Sequence, residues 1–218
     1  MTYDYSNTLN PEKALIWRIV HRDNIPWILD NGLHCGNSPV QSANWVHIGN
    51  PELTVKRATH PVPVGAGGVL NDYTPFYFTP FSPMLMNIKS GRGGVPMRNN
   101  DEIVVLVSSL PRVKALGLSF VFTDAHAYYG WANFYTDLED LTAVDWSILQ
   151  ARDFKRDPDD PKKFERYQAE ALIHRHCPVE ALEGMVCYTD DVKQQLEQAL
   201  QQRNRTMPVH ARAGWYFS

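Results

Sequence analysis

The 218-residue chain is 44% hydrophobic and 21% charged, close to the average of folded soluble domains, which excludes a disordered, collagen-like or coiled-coil protein. No apolar run approaches the roughly 18 residues of a membrane span, and the N-terminal MTYDYSNTLN lacks the basic start and apolar stretch of a secretion signal, so one cytoplasmic domain over residues 1–218 is expected. A net charge of −3 gives no overall attraction for nucleic acid, and three widely spaced cysteines, Cys35, Cys177 and Cys187, point to reduced thiols rather than a disulfide framework or a CxxC zinc site.

In chain order, Leu15 to His21 (LIWRIVH) predicts a strand, after which Asp23 or Asn24 caps a brief helix through Ile25, Ile28 and Leu29 that stops at Gly32. From His34 to Gly68 large aliphatic residues are few, so the segment reads as a long connection with at most a short helix over Pro51 to Ala58. A connection of that length is usually functional. Pro75 to Phe81 (PFYFTPF) is strand-like until Pro80, and Ser82 to Ile88 follows as a helix with Ser82 as cap and Pro83 in its first turn. Lys89 to Asn100 is a Gly-rich basic loop. Glu102 to Ser108 and Ser119 to Thr123 read as strands, with helices expected over Asp124 to Trp131 and Asp137 to Leu149. Pro161 should start a short helix, and Ala169 to His174 either continues it or turns into a strand, because periodicity over so short a run does not decide. Met185 to Tyr188 is strand-like, Asp190 to Gln202 an amphipathic helix, and Met207 to His210 and Trp215 to Phe217 are expected as closing strands. The mixed order is that of an α+β fold.

Of eight histidines, only His174 and His176 are close in sequence, with neither a third histidine nor a carboxylate at zinc-ligand spacing, so no metal site is expected. The Gly-rich segments Gly65 to Gly68 and Ser90 to Gly94 match neither the P-loop nor the dinucleotide fingerprint. More informative are polar groups inside apolar runs, whose unpaired burial would cost a few kcal/mol, on the order of 2–7. Arg18 and His21 interrupt LIWRIVH, Tyr77 lies within PFYFTP, and Glu170 sits in QAEALI. Each is also compatible with a solvent-facing position on a half-exposed element. Arg57, beside Lys56, comes from the long connection, where a cation can reach over a cleft as easily as into solvent.

In order along the chain, WRIVHRDNIPWILDNGL, GGVLNDYTPFYFTPFSPML, SFVFTDAHA, QAEALI and RAGWYF resemble the DarT toxins, a branch of the ADP-ribosyltransferases that modifies bases in single-stranded DNA. The resemblance implies the fold of that superfamily, split mixed β-sheets with flanking helices and an NAD cleft between them. It implies that Arg18 or His21, with Asn24 nearby, holds the phosphate or ribose side of NAD, that Tyr77 packs near the nicotinamide, and that Ser82, Met84 and Leu85 shape the same pocket. Glu170 would accept a hydrogen bond from the nicotinamide ribose 2′-hydroxyl and stabilise the oxocarbenium-like charge that develops there. Arg57 would stabilise negative charge on the base as its proton leaves. The acceptor is expected to be thymine in a single strand, where no base-flipping cost arises.

Binding of DNA must then come from local positive surface. Two stretches qualify: Lys89, Arg92 and Arg98 in the Gly-rich loop, and Arg152, Lys155, Arg156, Lys162, Lys163 and Arg166 ahead of Glu170, with Lys56 beside Arg57. In the second stretch Phe154 and Tyr167 are expected to stack on bases, although its acidic residues also fit a solvated charged loop. The resemblance further implies a partner, the macrodomain antitoxin DarG. Two other readings share the same residues: transfer to guanine, RNA or protein, and a non-catalytic module that binds NAD or DNA.

Overall fold

A computed structural model describes residues 4–217. Ten strands run in chain order as β1 (Leu15–His21), β2 (Leu33–His34), β3 (Tyr73–Tyr77), β4 (Ile103–Ser109), β5 (Phe120–Thr123), β6 (Phe134–Tyr135), β7 (Glu170–His174), β8 (His176–Cys177), β9 (Gly184–Cys187) and β10 (Val209–Ala211). The α-helices are α1 (Ile25–Asn31), α2 (Pro51–Arg57), α3 (Pro83–Ser90), α4 (Leu110–Ala115), α5 (Trp146–Gln150), α6 (Lys163–Arg166) and α7 (Asp190–Gln201). Eight strands form one sheet in the order β10-β9-β4-β1-β3-β7-β5-β6, and β2 pairs with β8 in a separate ribbon. Among the described residues only β9 and β10 pair in parallel. Residues on both faces of β4 are buried, so both sides of the sheet centre are covered by packed elements.

The sheet nearly divides between β1 and β3. Against β4, β1 is in register along its whole length, from Leu15 opposite Ser109 to His21 opposite Ile103. Against β3 it keeps the single pair Trp17–Tyr77. Pro75 in β3 has no N–H to give, and its carbonyl instead accepts a 2.7 Å hydrogen bond from Arg18 Nη1. A guanidinium thus takes the place of ladder bonds at the seam.

Local chemistry accounts for most boundaries. Gly32 ends α1 at φ 77°, and a Cβ there would lie 2.7 Å from the Cys177 carbonyl oxygen. Ser82 Oγ accepts the Met84 N–H at 3.1 Å and starts α3 with Pro83 in its first turn, as the sequence predicts. Glu170–His174 resolves as a strand because β3 and β5 pair with it on either side, a constraint absent from so short a sequence. Three expectations fail. Residues 124–131 form turns, not a helix, since Thr123 Oγ1 donates to the Ala125 carbonyl at 2.6 Å and Asp124 Oδ1 accepts the Asn133 N–H at 3.0 Å, drawing the backbone out of the helical pattern. Asp137 to Leu149 splits into a 3-10 turn over Leu138–Ala143 and the short α5. Trp215 to Phe217 is no strand; a 3-10 turn, Ala213–Trp215, closes the chain against the core. Among the described residues no helix is long and apolar enough to cross a membrane.

Candidate active site

Glu170 opens β7 directly opposite Tyr77, the last residue of β3, and Tyr77 in turn pairs with Trp17, the neighbour of Arg18. Three adjacent strands therefore bring Arg18, Tyr77 and Glu170 to the seam. The Glu170 side chain is 2% exposed, and a carboxylate so deep is stable only with charged or N–H partners. It has them. Arg57 Nη1 donates to Oε2 at 2.9 Å and Oε1 at 3.2 Å, the Ala127 N–H donates to Oε1 at 3.1 Å, and His126 Nδ1 lies 3.2 Å from Oε1. Burial alone would push the carboxyl upward, but Arg57, His126 and the Ala127 N–H together outweigh it and hold it below the ordinary carboxylate value. The group is ionised at neutral pH. Oε2 accepts only the Arg57 bond among the described residues, which leaves it a lone pair for a further donor.

Arg57 ends α2, which is held at both ends. Asn50 caps it by accepting the Leu53 N–H at 3.2 Å while donating to the Gly93 carbonyl at 2.9 Å, and Asn71 Nδ2 donates to the Thr54 carbonyl at 3.2 Å. The long connection thus delivers a buried cation to the carboxylate, with Arg57 Nη2 left without an acceptor among the described residues. Arg18 Nε is likewise buried and unpartnered. Burial draws the Arg18 guanidinium down to about 10, with nearby Arg57 adding to the effect and Cys177 and Tyr77 opposing it. Burial and the Glu170 charge push the Tyr77 hydroxyl well above its ordinary range, so it stays protonated and donates to Met84 Sδ at 3.6 Å.

The other residues expected around NAD lie in varied settings. His21 is buried, its Nδ1 accepting the Asp23 N–H at 3.1 Å and its Nε2 3.5 Å from Glu102 Oε1, so both ring nitrogens are engaged away from Glu170. Asn24 spends its amide on Val46, donating to the carbonyl at 2.9 Å and accepting the N–H at 2.8 Å, and so pins the long connection to the start of α1. Ser82 is occupied as the cap of α3, Leu85 belongs to the core, and Met84 is the one of the three that touches Tyr77. Residues missed by the sequence reading are His126, Ala127 and Thr123. Thr123 Oγ1 accepts the Glu170 N–H at 3.1 Å and fixes the start of β7. Their one signal was the SFVFTDAHA segment, whose apparent helix concealed the turn that aims them.

The loop ahead of Glu170 departs most from expectation. Tyr167 is 1% exposed and donates to the Phe81 carbonyl at 3.2 Å, while Phe154 packs on the Tyr167 ring at 5.1 Å and on Phe217 at 6.0 Å. Both rings anchor the loop to the core, and neither presents itself to a passing base. The Arg152 guanidinium lies 3.8 Å over the Phe81 ring. Arg166 is bound to Asp160 and Asp145, Lys163 to Asp153 and Asp157, and Arg156 to Glu165. Lys155 and Lys162 are exposed and make no ion pair among the described residues, and the same holds for Lys56 on α2 and Arg92 in the Gly-rich loop; Lys89, in the last turn of α3, is half-buried.

A family profile described as ssDNA thymidine ADP-ribosyltransferase, DarT, matches residues 17–217. A DNA ADP-ribosyl transferase of Escherichia coli O127:H6 (strain E2348/69 / EPEC) is 71% identical over 218 residues, covering 100% of both chains. The structure of Thermus sp. 2.9 DarT in complex with ADP-ribosylated ssDNA superposes with a TM-score of 0.87 at 33% identity, covering 100% of each chain. The same protein in complex with NAD+ gives a TM-score of 0.81 at 35% identity over 95% of this chain and 99% of that one. With the sheet seam and its buried carboxylate in place, these matches settle the family: the chain belongs to the DarT ssDNA thymidine ADP-ribosyltransferases.

Proposed function

We propose that residues 1–218 form one catalytic unit that transfers ADP-ribose from NAD to a thymine base in single-stranded DNA, with Glu170 and Arg57 as its catalytic pair. The observation that carries the reading is a carboxylate kept ionised deep at the sheet seam, with one oxygen saturated by N–H groups and the other open to a hydroxyl. The seam fits NAD by an orphaned donor: Arg18 Nε is buried without an acceptor among the described residues, and a ribose hydroxyl or the pyrophosphate would supply one. Arg18 is preferred to His21 as the cation on NAD, because His21 has both ring nitrogens engaged elsewhere.

Bound NAD supplies the ADP-ribosyl group when its bond to nicotinamide breaks. Glu170 Oε2 accepts the ribose 2′-hydroxyl and places a negative charge where positive charge grows on the sugar. Because the charge is already fixed by Arg57 and the Ala127 N–H, little reorganisation is needed as the bond breaks. Tyr77, apolar in its body and protonated at its tip, walls the nicotinamide side together with Met84. As the thymine ring nitrogen bonds to the anomeric carbon in place of the departing nicotinamide, its proton passes to solvent, and Arg57 Nη2 donates to the base carbonyl oxygen that carries the negative charge meanwhile. His126 Nδ1 lies 3.2 Å from Oε1, and burial draws its imidazole below the ordinary value while the Glu170 charge opposes the shift.

Incubation with NAD and two oligonucleotides, one with a single thymine and one with none, tests the reading by intact mass. The thymine strand alone should gain one ADP-ribose. Gain on a protein or RNA acceptor instead would replace the DNA assignment, and NAD binding without transfer to any acceptor would leave a binding module. A macrodomain antitoxin rests on the family resemblance, and a cytoplasmic setting on the three free, buried thiols. Co-purification with a co-expressed macrodomain protein checks the partner.

A further inference from the structure

With Tyr167 buried and Phe154 packed against Tyr167 and Phe217, the open aromatic surface beside the site lies elsewhere. A ledge of rings leads outward from the catalytic carboxylate along the 126–131 turns. His126, 3.2 Å from Glu170, meets the edge of Tyr129 at a centroid separation of 5.8 Å. Tyr129 lies 5.9 Å from Trp131 with the planes tilted by 36°, so the two rings are splayed rather than stacked on each other. Tyr129 is 39% exposed, and among the described residues it is the only aromatic side chain left open to solvent to that degree. Over Trp131 sits Lys162 Nζ, 4.4 Å from the ring centroid.

The charge pattern singles out the same place. In the loop ahead of Glu170, Arg156, Lys163 and Arg166 are held by carboxylates while Lys155 and Lys162 make no ion pair among the described residues, and of these two it is Lys162 that lies over an aromatic ring. An ammonium beside exposed π-faces is the combination that binds single-stranded nucleic acid without reading its sequence. We infer that Tyr129, Trp131 and Lys162 form a stacking subsite for a nucleotide flanking the modified thymine, with the rings taking its base and the lysine its phosphate. This deepens the DNA reading and rests on it. Since the ledge begins one ring away from Glu170, a base held there would fix the strand's register and keep the target base in the cleft.

The test walks a single abasic residue through the positions flanking one thymine and reads kcat/KM for transfer. For the wild-type protein one flanking position should lose about tenfold when its base is removed, the scale of a single aromatic–base stack. Trp131→Ala should lose about tenfold on the intact strand and then be indifferent to the abasic residue at that position, as a shared contact requires. Tyr129→Ala, at the exposed end of the ledge, should repeat the pattern without disturbing the half-buried indole, and Trp131→Phe should recover most of the activity. Thermal stabilisation by NAD should be unchanged in all three. Full sensitivity to the abasic residue in both alanine variants, or transfer at the wild-type rate, would overturn the subsite while leaving the DNA reading intact. If the wild-type protein modifies no oligonucleotide at all, it is the parent reading that fails.

Discussion

Glu170 is asked to do two things that pull against each other: to be buried deeply enough for its charge to act strongly on a substrate, and to remain charged there. Arg57 reconciles them. Glu170→Gln keeps the shape but not the charge, so transfer should fall at least about 100-fold, roughly 2.7 kcal/mol of transition-state stabilisation, while NAD affinity is largely kept. Intact-mass kinetics check this, and wild-type transfer would remove Glu170 from its role. A second expectation concerns pH. The folded carboxyl lies below its ordinary value of 4.5, so the Arg57–Glu170 pair adds stability that is present above that value and is lost as pH falls through the folded one. The acid limb of kcat/KM should accordingly lie below pH 4.5 in the wild-type protein. In Arg57→Gln, burial acts with less opposition, and the limb should move to higher pH; an unmoved limb would mean that the carboxylate depends on other partners. Arg18, Tyr77, Arg57 and Glu170 stand out in the sequence because each is a polar group in an apolar run or a cation in an unstructured connection. His126 and Thr123 were hidden, since their contacts with Glu170 span 44 and 47 positions and nothing local marks them.

At the scale of elements, α2 shows how a functional side chain can be held by a very short helix. A helix of its length has little stability of its own, so its caps and tethers decide where Arg57 points. Asn50 serves both purposes, capping with Oδ1 and tethering to the Gly-rich loop with Nδ2. Asn50→Ala removes both and should cost about 1 kcal/mol of stability, and it should lower kcat several-fold by loosening Arg57. Asn50→Asp keeps the cap but not the donor to Gly93, and should therefore restore stability more fully than kcat. Thermal melts and single-turnover transfer on the two variants separate the effects, and equal recovery of both quantities would show that the tether is idle. The helix itself was legible from Pro51 after an asparagine in a polar connection, as were β1, β4, α3 and α7 from periodicity and caps. The 124–131 segment misled because its apolar spacing imitates a helix while its side chains satisfy the backbone locally. The strand at Glu170 was undecidable for the opposite reason, because what makes it a strand is pairing with β3 and β5.

For the whole molecule, a net charge of −3 must coexist with a polyanionic substrate, and the distribution of cations decides how. Sequence alone made the loop ahead of Glu170 look like a basic patch. In the fold Arg156, Lys163 and Arg166 are bound to neighbouring carboxylates, Arg152 lies over Phe81, and the loop's aromatic residues brace it against Phe81 and Phe217. Such a loop is rigid and nearly neutral, which favours positioning over electrostatic capture. Phe154→Ala should therefore act chiefly on stability, costing about 1–2 kcal/mol because the ring is only partly buried, rather than on DNA affinity in proportion. Salt dependence offers the sharper test of the same idea. Each phosphate neutralised on a single strand contributes about −0.7 to the slope of log K against log salt. Ion-paired arginines and lysines release few counterions, so of the cations expected to meet DNA the main contributors are Lys56, Lys89, Arg92, Lys155 and Lys162, which make no ion pair among the described residues. The slope for a thymine-containing oligonucleotide should then be no steeper than roughly −3.5, and Lys162→Gln should flatten it by about 0.7. Arg166→Gln, by contrast, should leave it nearly unchanged while destabilising the loop, because its guanidinium is already spent on Asp145 and Asp160. A slope twice as steep, or one that responds equally to both substitutions, would mean that DNA breaks these ion pairs on binding and that the loop opens onto the strand instead of standing ready for it.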